Sequence, residues 1–374
     1  MKTLEDIPHL QGVRVLVRVD FNVPIKDGAV ADDTRIRAAM PTIDYLRAKG
    51  AKVILMSHLE SNDHKDLSLE PVADRLNKLG TPIVFVKNIR TANDLIENEL
   101  GNSRCMLLEN LRFFPGEKAN DPKFAKELAS LGDIYVNEAF PVCHREHASI
   151  VGVPKLMPSY AGLRLEKEVA NLAKAFDPVR PFLFILGGAK FETKMPLLTK
   201  FMELADSVFV GGALANDFFK AMGYEVGQSL LSKGDFDLKR FVGNPKLALP
   251  VDVVVQGGDK KRVSTLGKDD KIMDSGPATV DALHKKVDAS RFILWNGPLG
   301  MYESGFTEPT KELARMIGAA TLRGATTIVG GGDTLAAISS LGIDDQFTWI
   351  STGGGAMLDF LAKGSLPGLK ALNN

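Results

Sequence analysis

Two sets of residues in this chain have types and spacing suited to chemistry, and they differ in kind. In the first half, apolar runs end in polar and charged residues. These are Asp20-Phe21-Asn22, Ser57-His58, Glu109-Asn110-Leu111-Arg112, and Asn137-Glu138-Ala139-Phe140 leading to His144-Arg145-Glu146-His147. Arg35 follows soon after the first turn. Arg35, Arg112 and Arg145 at the mouth of one sheet would suit a small anion, because a planar guanidinium offers carboxylate or phosphate two parallel hydrogen bonds. Taken singly, each arginine reads as a solvated surface residue and His147 as structural. Their shared position after strands is what favours a site. Asp20 fits a turn cap, a hydroxyl acceptor or an orienter of Arg35.

In the second half the runs end in glycine: Gly187-Gly188-Ala189-Lys190, Gly211-Gly212-Ala213, Gly257-Gly258-Asp259, Asn296-Gly297-Pro298, Gly330-Gly331-Gly332-Asp333-Thr334 and Gly353-Gly354-Gly355. One diglycine requires only a tight turn. Repetition at successive strand ends points instead to backbone N–H groups and helix N-termini cradling a nucleotide's phosphates. No GxxxxGK[ST] occurs and no GxGxxG follows a strand, which excludes a Walker loop and a dinucleotide fingerprint. Asp333 is suited to hold Mg²⁺ bridging nucleotide phosphates. Lys190 and Lys194, one turn apart, read alone as solvated lysines, and beside a phosphate cradle as groups that hold a phosphoryl group in transfer. Thr334 either caps the next helix or touches phosphate. Glu303 is placed to accept from ribose hydroxyls.

The elements that must position these residues alternate. Strand-like runs at 13–19, 52–56, 82–86, 106–108 and 133–136 are separated by helical patterns such as 35–49, 69–79 and 122–131. Further strands are expected at 182–186, 207–210, 252–255, 292–295, 326–329 and 347–350. They are short, β-branched and apolar without clean alternation, as strands covered on both faces should be. The alternation predicts an α/β protein of two domains with parallel, doubly wound sheets. A helix over 163–176 joins them, with Leu165, Val169, Leu172 and Phe176 on one face and Glu166, Lys167, Glu168 and Lys174 between. Pro178 and Pro181 stop it. The expected boundaries are 1–162, a linking helix 163–177, 178–356, and a C-terminal segment 357–374. The stretch 257–277 is the least regular and reads as a surface excursion. In such sheets ligands sit beyond the carboxyl ends of the strands, where both sets of residues fall.

A chain of 374 residues fits two domains of common size. Its hydrophobic fraction of 45% and charged fraction of 25% are those of a globular protein. The formal net charge is zero, so no global attraction to nucleic acid or membrane is expected. Cys105 and Cys143 are the only cysteines and form no CxxC pair, so neither a disulfide framework nor a zinc site is indicated. No secretory core or membrane span is read. A cytoplasmic monomer is expected.

Several motifs resemble the phosphoglycerate kinase family. They are Arg14-Val-Leu-Val-Arg-Val-Asp20-Phe21-Asn22-Val23-Pro24, Met56-Ser57-His58-Leu59, Glu109-Asn110-Leu111-Arg112-Phe113, His144-Arg145-Glu146-His147-Ala148-Ser149, Gly187-Gly188-Ala189-Lys190 with Lys194, Trp295-Asn296-Gly297-Pro298 and Gly331-Gly332-Asp333-Thr334. The match runs in order through the chain. The resemblance implies two Rossmann-like domains, the N-terminal one for 3-phospho-D-glycerate and the C-terminal one for Mg-nucleotide, with closure in turnover. It implies phosphoryl transfer from ATP to the acid, giving ADP and 1,3-bisphosphoglycerate. The implied acid site is Asp20, Asn22, Arg35, His58, Arg112 and Arg145. The implied nucleotide and transfer site is Gly187, Gly188, Lys190, Lys194, Gly211, Asn296, Glu303, Gly331, Gly332, Asp333 and Thr334. Gly353, Gly354 and Gly355 match a helix N-terminus that stabilises the transferring group. Two departures fall in the acid half. The family usually reads Ser-His-Leu-Gly-Arg-Pro, and this chain reads Ser57-His58-Leu59-Glu60-Ser61-Asn62, without the arginine; His64 or Lys65 would be its nearest substitutes. Where the family usually has Asp-Ala-Phe-Gly-Thr, the chain has Glu138-Ala139-Phe140-Pro141-Val142. A kinase acting on another small carboxylate and a non-catalytic nucleotide-binding protein are the rival readings.

Overall fold

The structure, a computed structural model, describes residues 1–61, 63, 65–98 and 105–373. They form two compact units, Met1–Ala170 with Ser365–Asn374, and Asn171–Gly364. The division falls inside the helix Leu163–Ala173 rather than at its ends. Residues 357–364, expected with the returning C-terminal segment, stay with the second unit because they complete the helix Gly355–Lys363. The remainder joins the first unit, where the Gly368 N–H donates to the Cys143 carbonyl at 2.9 Å.

The first unit is built on a six-stranded sheet in the order Ile83–Val86, Cys105–Leu108, Lys52–Met56, Arg14–Arg18, Ile134–Asn137, Ser159–Ala161. Every pair is parallel. Val15, Leu16 and Val17 are fully buried in its centre, as a strand sandwiched between helices must be. Ser159–Ala161 was not foreseen. The second unit repeats the plan, with the parallel order Leu247–Ala248, Ser207–Val210, Phe182–Leu186, Phe292–Asn296, Thr326–Gly330, Trp349–Ser351. Its core holds Trp295, and Phe182 meets the rings of Phe201 and Phe292 edge-on.

One expected strand belongs elsewhere. Asp252–Val255 is the centre of a separate antiparallel sheet, flanked by Lys260–Arg262 and Ile272–Ser275. Gly257 and Gly258 turn that hairpin, with the Gly258 N–H on the Val255 carbonyl. They are not part of a phosphate cradle. The stretch 257–277 thus supplies both outer strands of this sheet, joined through a short helical turn, Val263–Thr265, and is not merely an excursion.

The linking helix ends in a tighter turn, Lys174–Phe176. Leu165 and Leu172 are buried as expected, and Val169 and Phe176 are half-buried. Glu168 departs from the polar stripe: it is buried, 3.5 Å from Arg164 one turn earlier. Among the described residues, no helix is long and apolar enough to cross a membrane.

Candidate active site

In the first unit the carboxyl ends of the central strands gather the expected basic residues. Arg18, the last residue of its strand, is 1% exposed. It donates to Ser149 Oγ at 2.9 Å and approaches His58 Nδ1 at 3.2 Å. A guanidinium only donates, so Nδ1 must accept and the proton of His58 sits on Nε2, facing away from Arg18. Burial holds the His58 pKa well below its ordinary value, and Arg18, Arg112, Arg145 and Arg35 add to the effect. His58 is therefore a neutral donor among cations. Arg18 was missed in the sequence because it lies inside an apolar run, flanked by Val17 and Val19.

Arg35 donates through Nη1 to Asp20 Oδ2 at 2.9 Å, so Asp20 orients Arg35. Asp20 also accepts from the Asn22 N–H at 3.3 Å. Asn22 Oδ1 accepts from the Glu60 N–H at 3.0 Å, which ties it to the next loop. Arg112, in the turn Leu111–Phe113, is buried, and its Nε has no acceptor among the described residues. Burial pushes its pKa down to about 10, with like charge from Arg145 and Arg18, so it stays cationic at neutral pH. A buried, incompletely satisfied guanidinium is what an anion site requires. Arg145 is half-buried and near it. His147 is held at about 4 by burial and by Arg145, 3.8 Å from Glu117, which also accepts from the Ser149 N–H and hydroxyl.

The loop lacking the family's arginine folds back on itself. Glu60 bridges to Asp66, and the Glu60 carboxylate forms an ion pair with Arg112. Ser61 hydrogen-bonds Asp63 and the Lys65 carbonyl, and Lys65 pairs with Asp63 at 2.7 Å. His64 lies outside the described residues.

The second unit contains a cavity of about 210 Å³. Gly188, Gly212, Pro298, Glu303 and Asp333 are among its lining, as are Asn216 and Asp274, which sequence reasoning did not select. The glycines act differently from the expected cradle. The Gly187 and Gly188 N–H groups are already bonded, to the Asn296 and Pro298 carbonyls, each at 2.8 Å. A Cβ on Gly187 would lie 2.3 Å from the Pro298 oxygen, and one on Gly212 would lie 2.6 Å from the Gly188 nitrogen. These glycines let three strand ends interlock and form the wall. Gly211 belongs to the wall too, against Phe209 and Leu299, while Gly212 faces the cavity. Free N–H groups come instead from the first turn of the helix Gly332–Leu341, which has no intrahelical acceptors. Gly331, at φ +104°, makes the entry into that helix. Gly354 similarly opens the helix Gly355–Lys363.

Asp333 lies in that first turn and lines the cavity. Thr334 neither caps the helix nor faces the cavity: it is fully buried and its Oγ1 accepts from the Gly297 N–H at 3.0 Å. It therefore fixes the Asn296-Gly297 turn. Lys194, in the helix Phe191–Leu204, is 8% exposed and donates through Nζ to the Gly187 carbonyl at 2.6 Å. Burial lowers its pKa to about 8, opposed by the charge of Asp333. Lys190 precedes the same helix in a left-handed conformation, φ +71°, and is exposed. Asn216 donates to the Leu230 carbonyl, but among the described residues its buried Oδ1 has no partner, and neither does Asp274 Oδ2. Burial pushes Asp274 up to about 7. Neither lies in a recognisable motif, so only the fold reveals them. Among the described residues no cluster of three or more His, Cys, Asp or Glu could enclose a metal. One carboxylate beside a helix N-terminus nevertheless fits Mg²⁺ held mainly by the nucleotide's own phosphates.

Comparison with known proteins identifies relatives over the whole chain. The family model described as phosphoglycerate kinase matches residues 4–364. Phosphoglycerate kinase of Dictyoglomus turgidum is 44% identical over 399 residues, covering 100% of this chain and 99% of the relative. That of Chlorobaculum tepidum is 43% identical over 395 residues, covering 100% and 99%. The structure is similar to phosphoglycerate kinase from Coxiella burnetii, with a TM-score of 0.85, 35% identity and coverage of 99% and 98%. It is similar also to phosphoglycerate kinase from Pyrococcus horikoshii, with a TM-score of 0.85, 32% identity and coverage of 100% and 98%.

Proposed function

The chain belongs to the phosphoglycerate kinase family, and on that premise we propose that it transfers a phosphoryl group reversibly between ATP and the carboxylate of 3-phospho-D-glycerate. The observation that carries this reading is the buried Lys194 ammonium, held against Gly187 within reach of the Asp333 charge. A scaffold has no need of a desolvated cation there, whereas a transferring phosphoryl group does.

The acceptor carboxylate is already ionised at neutral pH, so no general base is required. Catalysis then rests on positioning and charge neutralisation. Arg112, Arg145 and the neutral His58 hold the acid's anionic group, and Arg35, steered by Asp20, turns toward its carboxylate. Asp333 would hold Mg²⁺, which supplies positive charge to the nucleotide phosphates. Lys194 exchanges the Gly187 carbonyl for a phosphoryl oxygen, and Lys190 adds charge from outside. Glu303 accepts from the ribose. Because the two half-sites belong to different units, we infer a closure step that brings the ligands together and excludes water. Two buried free thiols, Cys105 and Cys143, fit a reducing cytoplasm.

A second reading, a kinase for a different small acid, draws on the Glu60 carboxylate at Arg112. A coupled assay of ADP formation with 3-phosphoglycerate, glycerate and other short acids decides between them. Turnover with 3-phosphoglycerate well above every other acid is expected. Preference for an acid lacking phosphate would overturn the first reading.

A further inference from the structure

Within the acid half, the Glu60 carboxylate has no place in the mechanism above. Glu60 sits at the foot of a short hairpin, where bonds between residues 59–61 and 65–67 fix its backbone. The Leu67 N–H donates to the Leu59 carbonyl at 3.1 Å, and the Ser61 N–H to the Lys65 carbonyl at 2.8 Å. Asn110 Nδ2 reaches both Leu59 and Leu67 carbonyls, at 2.6 and 2.7 Å, and Asn22 holds the Glu60 N–H. Residue 60 is therefore delivered to one place. There its carboxylate pairs with Arg112, whose side chain is 4% exposed, while that of Glu60 is 19% exposed.

We propose that Glu60 is a specificity-determining residue that acts as an internal anion, occupying Arg112 until the substrate's anionic group displaces it. This rests on the assignment of Arg112 to the acid site. The charge balance makes the consequence definite. Arg18 is committed to Ser149 and His58, and Arg35 to Asp20. Among the described residues, Arg112 is a buried guanidinium of the acid site that still has a nitrogen without an acceptor. An incoming anion must break the Glu60 pair and then tolerate the displaced carboxylate nearby. Glu60 is partly exposed, so it can turn toward solvent when displaced. A lone small anion gains too little from Arg112 alone. An acid that also engages Arg145 and Arg35 gains more. The hairpin thereby discriminates against free phosphate and other simple anions at the cost of affinity for the true substrate.

Titration calorimetry of Glu60→Gln and Glu60→Asp at fixed ionic strength tests this, with inorganic phosphate and 3-phosphoglycerate as separate probes. Glutamine keeps the shape and removes the charge. Phosphate is expected to bind Glu60→Gln at least about tenfold tighter than the natural protein, because a charge-assisted bond is freed. Glu60→Asp should resemble the natural protein more closely. The KM for 3-phosphoglycerate should fall in Glu60→Gln, with kcat moving much less. Unchanged or weaker phosphate binding in Glu60→Gln overturns the proposal, as does equal loss in both variants, which would mark Glu60 as structural. If phosphate tightens but 3-phosphoglycerate binds neither protein, Glu60 keeps this role and the assigned substrate is wrong.

Discussion

Lys194 Nζ donates to the Gly187 carbonyl at 2.6 Å, which parks a buried ammonium on the backbone of the loop that ends its neighbouring strand. Burial has lowered its pKa to about 8, so charge is retained at neutral pH only narrowly. A transferring phosphoryl group is a stronger acceptor than a carbonyl, and its equatorial oxygens gain most from the exchange in the transition state. Lys194→Ala should therefore lower kcat and kcat/KM together, by about 10²–10³-fold, with little change in the KM for ATP. The free enzyme should also lose kcat/KM for ATP as pH rises above about 8, where Lys194 gives up its proton, and the variant should lack that limb. Steady-state kinetics across pH reads both; an unchanged kcat removes Lys194 from the transfer step.

Asp333 occupies the first turn of the helix Gly332–Leu341 and lines the cavity. Asp333→Asn keeps the shape and removes the charge. Binding of Mg-ATP should weaken by about tenfold or more, while metal-free ATP and 3-phosphoglycerate bind nearly as before. Calorimetry with and without Mg²⁺ separates these. Selective loss of acid binding would place the metal ligand elsewhere.

Glu138 connects the first unit's sheet to the start of the helix Leu163–Ala173. It accepts from the Thr42 hydroxyl at 2.7 Å, from the Arg164 N–H at 3.0 Å and from the Leu165 N–H at 3.4 Å. Burial nevertheless pushes its pKa up to about 7. The unfolded chain releases this proton near 4.5 and the folded one near 7, so between those values the folded state binds more protons. Stability from this group therefore falls as pH rises through that window. Glu138→Gln should flatten that decline and, by weakening the cap, cost about 0.5–2 kcal/mol at pH 5. Thermal unfolding of both proteins at pH 5 and 7.5 measures the difference. An identical decline in the variant would assign it to other groups.

The parallel sheets were legible because fully buried strands such as Phe182–Leu186 must read as unbroken apolar runs. Asp252–Val255 reads the same way, yet belongs to an antiparallel sheet; pairing partners are not encoded in a single run. Ser159–Ala161 is three residues long, too short for any period to register. At the site, charged residues at strand ends stood out. Thr334 was visible in type but not in direction, since its bond to Gly297 spans 37 positions. Asn216 and Asp274 had no local signal, because their significance is burial beside a cavity that only the folded chain creates.

Position 61 is where the family's arginine is missing, and the structure defines what a replacement would meet. Ser61 is bonded to Asp63 and to the Lys65 carbonyl, and Glu60 is beside it. An arginine placed there alone finds two carboxylates, Asp63 and Glu60, before it finds substrate. Ser61→Arg should therefore lower the KM for 3-phosphoglycerate only weakly, by about threefold or less. With Glu60→Gly added, one competing carboxylate disappears, Arg112 is released and the hairpin foot becomes freer to turn the new guanidinium inward. A charge-assisted bond to phosphate contributes about 1.5–3 kcal/mol, so the double variant should lower that KM by about one to two decades. The KM for ATP should not move, and kcat should change less than the acid KM. The gain should shrink at high salt, since the new contact is charged and near the surface. Equal effects of the single and double variants would show that Glu60 does not compete for the arginine. No effect of either would mean that another cation already meets the substrate's phosphate.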